Sequence, residues 1–210
     1  MTQQKIIDCY NLTAENYAKQ FIDELSHKHL DRILLSQFAQ ENKDGRCIDL
    51  GCGPGQTTKF LFNCGMGNII GTDLSSAMIS KAKEINPQIH FEVADMLNLH
   101  YKDKSFSAAV AFYAIVNFTL EKVKIAFKEI KRILKDGGQV LFSFHIGTGV
   151  KHLDNFLEKD VSIDFYFFET EKIITLLDEM GFTIIDAIER LPYKGMEYPS
   201  KRAYIWVKKN

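Results

Sequence analysis

The sequence has no stretch that would cross a membrane or lead the chain out of the cell. No run approaches the roughly 20 apolar residues that span a bilayer. Met1 to Ala18 carries Gln, Asp, Asn and Glu where a signal peptide needs an uninterrupted apolar stretch. Cysteine is sparse: Cys9, Cys47, Cys52 and Cys64 include no C-x-x-C pair, and without a secretory context they read as reduced thiols. The six histidines show no grouping that a metal requires. An excess of charge of either sign is also missing. With 26 basic and 27 acidic residues the net charge is −1, so nothing steers the chain as a whole onto phosphate backbones or anionic lipid, although a local basic patch stays open. Internal repeats, low-complexity tracts and linkers are absent. These absences lead to the expectation of one cytoplasmic domain with no metal and no membrane or nucleic-acid partner.

Apolar material is sufficient for a core: 46% of the 210 residues are hydrophobic, which suits a single domain. Between Tyr17 and Ala39 apolar residues recur at Tyr17, Phe21, Leu25, Leu30, Ile33, Leu34 and Phe38, so the first 40 residues are expected to be helical. After the turn signal Asp44-Gly45 the pattern changes to short apolar runs. Strands are expected at Arg46–Leu50, Asn68–Asp73, Ile89–Val93, Ala108–Phe112, Gln139–His145, Thr183–Arg190 and Ala203–Val207. The helices between them are Thr57–Asn63, Ser76–Ile85, Leu120–Leu134 and Thr170–Met180, the last with Thr170 as its N-cap. Alternation of strand and helix specifies a mostly parallel sheet covered on both faces. The last two strands have no helix between them and should be antiparallel neighbours. The expected fold is α/β: a Rossmann-like seven-stranded mostly parallel sheet with an antiparallel final strand, helices on both faces and an N-terminal helical cap. The divisions are 1–44 for the cap, 45–146 for a ligand-binding core, 147–168 for a lid insertion and 169–210 for the C-terminal helix and hairpin.

The chemistry begins where the strand Cys47-Ile48-Asp49-Leu50 runs into Gly51-Cys52-Gly53-Pro54-Gly55 and then a helix. Such a loop brings backbone N–H groups and a helix N-terminus close to a ligand, and its glycines remove Cβ atoms that would block approach. A tight turn with no ligand is the plainer alternative. The G-x-G-x-x-G register of dinucleotide sites fails, because its third glycine would fall on Gln56. Asp73, about 20 residues past the loop at a strand end, suits two hydrogen bonds from vicinal ribose hydroxyls; a helix cap or a solvent-facing strand end is the alternative. Phe91-Glu92-Val93-Ala94-Asp95-Met96 supplies a third acid after a third strand, a position that turn chemistry alone also favours.

Taken together, the acid-led loop and the two following acids resemble the class I S-adenosylmethionine-dependent methyltransferase superfamily, over roughly Tyr10 to Trp206. The resemblance implies S-adenosyl-L-methionine as cofactor and S-adenosyl-L-homocysteine as product. It implies that Asp49, Gly51, Cys52, Gly53 and Gly55 cradle the methionine part and that Asp73 binds the ribose. Leu74 and Met78 would lie under the adenine, with Asp95 on its amino group and the Met96 N–H on a ring nitrogen. It also implies a helical cap whose tyrosine closes over the methionine end, with Tyr17 the first candidate and Tyr10 the second; packing explains the pair equally well.

Phe112 and Tyr113 follow the fourth strand on the crevice side and should border the transferring methyl, as cofactor or acceptor contacts, with Asn117 a weaker candidate. His145 ends the fifth strand on the same side and could serve as a base, or be structural. The pair Tyr113 and His145 are the catalytic candidates. The acceptor is expected to be a small molecule under a lid built from the N-terminal helices and Gly147–Phe168, with Tyr166 in reach. A noncatalytic cofactor-binding protein, a nucleic-acid or protein methyltransferase and a nicotinamide oxidoreductase are the competing readings.

Overall fold

Four short runs, Cys47–Leu50 (β1), Ile69–Asp73 (β2), His90–Val93 (β3) and Phe106–Phe112 (β4), carry the interior of the computed structural model, which describes all residues Met1–Asn210. β1 is buried along its whole length, as expected of a strand covered on both faces. The sheet continues through Leu134–His145 (β5), Phe182–Arg190 (β8) and Arg202–Lys209 (β9) in the order β3-β2-β1-β4-β5-β9-β8. β1 to β5 pair in parallel, and β9 runs antiparallel to both β5 and β8. The order reverses at β1 and β4, so the crevice outside their carboxyl ends is where a ligand sits in such a sheet.

The helices are Gln3–Phe21 (α1), His29–Asn42 (α2), Gln56–Asn63 (α3), Ser76–Ile85 (α4), Leu120–Ile133 (α5) and Thr170–Glu179 (α6). The largest apolar cluster joins one face of the sheet to α5 and α6 through Phe127, Ile130, Phe142 and Leu177; a second joins the other face to α2 and α3 through Phe38, Leu61 and Trp206. Ser75 and Thr119 cap α4 and α5 by accepting the N–H of Met78 and Lys122.

Four local readings need correction. The helical run expected through Tyr17–Ala39 breaks: α1 stops at Phe21, a 3₁₀ turn covers Glu24–Ser26, and α2 starts afresh at His29. β4 begins two residues before Ala108, at Phe106. β5 begins at Leu134, which pairs with Phe106, and the strand is irregular before Gln139. Thr170 is the first helical residue of α6 with Glu169 at the cap position, and its hydroxyl donates to Glu189 instead. Residues 147–168, expected only as an insertion, form an antiparallel hairpin of Val150–Phe156 (β6) and Lys159–Tyr166 (β7) outside the main sheet.

Candidate active site

The loop after β1 alternates into the left-handed region at Gly51 (φ +69°), Gly53 (φ +53°) and Gly55 (φ +89°), a path that side chains strain to follow. The three glycines serve different ends. A Cβ on Gly51 would meet the Ala114 Cβ at 2.6 Å, and one on Gly55 would meet the Phe91 ring at 2.9 Å, so both permit close packing. Gly53 is open: the nearest atoms to a Cβ there are Tyr17 Cε1 at 3.7 Å and Gln56 Oε1 at 3.9 Å. Gly51 and Gly53 border both cavities of the crevice, Cys52 borders the larger one, and Gly55 borders neither.

The smaller cavity, about 90 Å³, is lined by Asp73, Leu74, Met78, Asp95 and Met96 with Gly51 and Gly53. The loop and the strand ends are tied together here. The N–H groups of Gly53 and Ser75 donate to the two oxygens of Asp73, at 3.0 and 2.8 Å. Burial raises the pKa of Asp73 despite these bonds. Asp95 accepts from the Leu97 N–H at 2.9 Å on one oxygen and from the Gln3 amide of α1 at 2.7 Å on the other. α1 lies across this cavity, anchored by Asn11, whose side-chain oxygen accepts from the Ser75 hydroxyl at 2.7 Å and the Ala77 N–H at 3.2 Å. Met78 and Met96 are buried.

Asp49 faces the start of α3, where the Thr58 hydroxyl donates to it at 2.6 Å. Burial pushes its carboxyl up to about 7, with the Thr58 bond opposing and Asp73 adding to the shift.

The larger cavity, about 490 Å³, lies between α1, the β6–β7 hairpin and the 193–202 loop. Asp49 and His145 border it, while Tyr10, Tyr17, Phe112 and Tyr113 border both cavities. Tyr10 and Tyr17 contact each other edge to face at 6.2 Å, and the Tyr10 hydroxyl donates to Asn117 at 2.8 Å. Asn117 in turn donates to the Asp164 carbonyl of the hairpin at 2.8 Å. Tyr166 belongs to the hairpin but lines neither cavity; Phe165 and Phe167 beside it line the larger one.

His145 sits with its ring 5.2 Å from that of Tyr113, and its Nδ1 lies 2.8 Å from the Ser200 hydroxyl. Burial, then the charges of Arg202 and Lys28, push its pKa down to about 3. The imidazole is therefore neutral at any ordinary pH and a weak proton acceptor.

Beneath it lies an ion-pair cluster that sequence reasoning missed. Lys28 pairs with Glu24 at 2.5 Å, Arg190 with Asp31 at 3.1 Å and with Glu197 at 2.7 Å, and Arg202 lies 3.5 Å from Glu197. Burial opposes ionisation of Glu197, but Arg190 prevails and holds its pKa at about 2. Three carboxylates face three cations, so the cluster is balanced in charge. Its members come from residues 24 to 202, and no local spacing relates them; Asp31 alone reads as an ordinary acid in a helix first turn.

The family model described as a methyltransferase domain matches residues 47–138, the span from the loop strand through β4 and α5. Over that span the chain is similar to a methyltransferase domain, in line with its resemblance to the class I S-adenosylmethionine-dependent superfamily. Among similar proteins is the ubiquinone/menaquinone biosynthesis C-methyltransferase UbiE of Bdellovibrio bacteriovorus, 31% identical over 65% of this chain and 60% of that one. Another is the tRNA (carboxymethyluridine(34)-5-O)-methyltransferase of Saccharomyces cerevisiae, 29% identical over 62% of this chain and 47% of that one. The chain thus spans about half the length of such curated relatives. Among solved structures, the magnesium protoporphyrin IX methyltransferase of Synechocystis with bound S-adenosylhomocysteine superposes over 100% of both chains with a TM-score of 0.77 at 15% identity, a likeness of fold.

The methyltransferase cofactor is S-adenosyl-L-methionine, and the residues present fit it. The smaller cavity offers a carboxylate at the β2 end for a diol, apolar side chains for a flat base and a second carboxylate for an amino group. Gly53 leaves open room between the loop and Tyr17. No helix is long and apolar enough to cross a membrane.

Proposed function

We propose that this chain transfers a methyl group from S-adenosylmethionine to a small-molecule acceptor. The observation that carries the reading is the meeting of two cavities at Gly51, Gly53, Tyr17, Phe112 and Tyr113, with nucleoside-binding chemistry in one and an aromatic-walled, charge-balanced chamber in the other. The cofactor supplies a methyl group already activated on a sulfonium. The protein's work is then alignment and exclusion of water.

Asp73 would accept both ribose hydroxyls, Asp95 the adenine amino group, and the Met96 N–H would reach a ring nitrogen. Leu74 and Met78 would contact the base, while Asp49, Cys52 and Gly53 would face the methionine part. Gly51 and Gly55 would act by shaping the loop. Tyr17 would close over the junction, and Phe112 and Tyr113 would border the methyl. His145 would shape the acceptor chamber as a neutral ring.

A small acceptor is favoured over tRNA, on which the yeast relative's name says it acts, because α1 and the hairpin wall the chamber with aromatic side chains and the chain carries a net charge of −1. The test is a turnover screen of small acids, amines and phenols following S-adenosylhomocysteine release. Turnover with members of that set is expected; turnover confined to tRNA or protein would overturn the acceptor class.

A further inference from the structure

Tyr113 follows β4 at the junction of the two cavities, and its φ of +54° places a bulky side chain in the left-handed region, which L residues seldom adopt. Backbone of this kind persists where surrounding contacts over-determine it. The contact that stands out runs from its hydroxyl into the protein. The Tyr113 and Tyr204 hydroxyls are 3.3 Å apart. Tyr204 donates to Asp31 Oδ1 at 2.7 Å and accepts from the Arg190 Nε–H at 2.9 Å.

Each tyrosine hydroxyl has a single proton. That of Tyr204 is committed to Asp31, so the bond between the tyrosines uses the proton of Tyr113. The Tyr113 oxygen then has only lone pairs to offer the cavity. At the inner end, Asp31 is fully buried, its Oδ1 also receives Arg190 Nη2 at 3.1 Å, and its Oδ2 has no hydrogen-bond partner. A carboxylate with an unfilled oxygen terminates a chain of bonds that all point inward.

We infer that Tyr113, Tyr204 and Asp31 form an inward-directed proton relay and that the methyl acceptor is a phenol, whose O–H donates to the Tyr113 oxygen. This rests on the reading of the two cavities as donor and acceptor sites. Phe21, Phe165, Phe167 and Tyr198 line the chamber and suit an aromatic ring. As the new C–O bond forms, the C–S bond breaks with its electron pair left on sulfur. The phenol O–H bond breaks, its proton goes to the Tyr113 oxygen, that of Tyr113 to Tyr204, and that of Tyr204 to Asp31 Oδ1. The products are a methyl ether, S-adenosylhomocysteine and a protonated Asp31. Burial raises the pKa of Asp31 above its ordinary value, with Tyr204, Lys28 and Arg190 opposing, whereas that of His145 is pushed down to about 3, so Asp31 is the better proton acceptor.

The test compares 2-naphthol with 2-methoxynaphthalene, which lacks the O–H, by fluorescence titration of the protein saturated with S-adenosylhomocysteine. The relay predicts that 2-naphthol binds about tenfold tighter, as one hydrogen bond would give, and that Tyr113→Phe abolishes the difference while keeping the ring. With S-adenosylmethionine, Asp31→Asn and Tyr204→Phe should lower kcat for 2-naphthol about 10²-fold or more, with KM and S-adenosylhomocysteine affinity unchanged. Equal binding of the two probes, binding of neither, a preference that survives in Tyr113→Phe, or unchanged kcat in both relay variants would overturn it. Calorimetry with S-adenosylhomocysteine on the same samples separates the failures. Its binding without the naphthol preference overturns the relay alone, whereas no binding overturns the donor-site reading and the relay with it.

Discussion

Asp49 combines burial with a single hydroxyl partner, and its raised pKa couples folding to pH. Its folded value of about 7 lies above that of an unfolded aspartate, so the native chain binds the extra proton between the two values. The stability this contributes is full below the unfolded pKa and is lost as pH rises through about 7. Denaturant titrations should therefore show the wild type losing on the order of 4 kcal/mol between about pH 4 and pH 8 relative to Asp49→Asn. Parallel pH profiles for the two proteins would contradict this. His145 gives the opposite expectation. With its pKa near 3 the neutral ring is too weak an acceptor to hold a second proton at neutral pH, so His145→Ala should change kcat by less than about tenfold; a loss of 10²–10⁴ would restore it as the base. At this scale the acids at strand ends were legible because their positions follow from the order of strand, loop and acid. The separate duties of the glycines were not. Gly55 reads like Gly53 in sequence, yet only the packed ring of Phe91 reveals that its missing Cβ makes room for protein and not for ligand.

Among the elements, α1 is the one whose position bears on ligand entry. Gln3 presents an amide NH₂ to Asp95, the same kind of donor that an adenine amino group would present, so on the proposed reading helix and base would compete for one carboxylate oxygen. Gln3→Ala should raise S-adenosylhomocysteine affinity severalfold, by removing a competitor worth about 1 kcal/mol. Calorimetry showing equal or weaker binding would mean that Gln3 does not compete with the base. Removal of residues 1–20 should act in the other direction. It takes away Tyr10, Tyr17 and the Asn11 anchor, so far-UV circular dichroism should retain the sheet signal while cofactor affinity and turnover fall; full activity in the truncated protein would refute a covering role for α1. The sheet elements were legible because their apolar runs are short and bounded by glycine and acid. The hairpin β6–β7 was not, since a two-stranded ribbon off the main sheet need not alternate: most of β6 is exposed, with Val150 and Leu153 on opposite parities. The interruption between α1 and α2 was hidden by apolar residues that keep helical spacing across a 3₁₀ turn.

For the whole molecule, the order of strands places the reversal between β1 and β4, and everything assigned to chemistry gathers at that edge. Two cavities share lining residues there, with the two strand-end carboxylates and apolar side chains on one side and an aromatic chamber beside a balanced ion-pair cluster on the other. The first set was readable because it lies within 50 residues of continuous strand and loop. The cluster was not, because α2, β8, β9 and the loop between those strands meet only after the C-terminal strands fold back antiparallel onto β5. The central claim is that the β1 loop and the β2 end together hold a nucleoside-bearing methyl donor. It is tested most directly by isothermal calorimetry of S-adenosylhomocysteine against the native chain and Asp73→Ala. The account predicts one-to-one binding to the native chain and a loss of at least about tenfold in the variant, from two charge-assisted hydrogen bonds. Absence of binding to the native chain, or an affinity unchanged in Asp73→Ala, would contradict it.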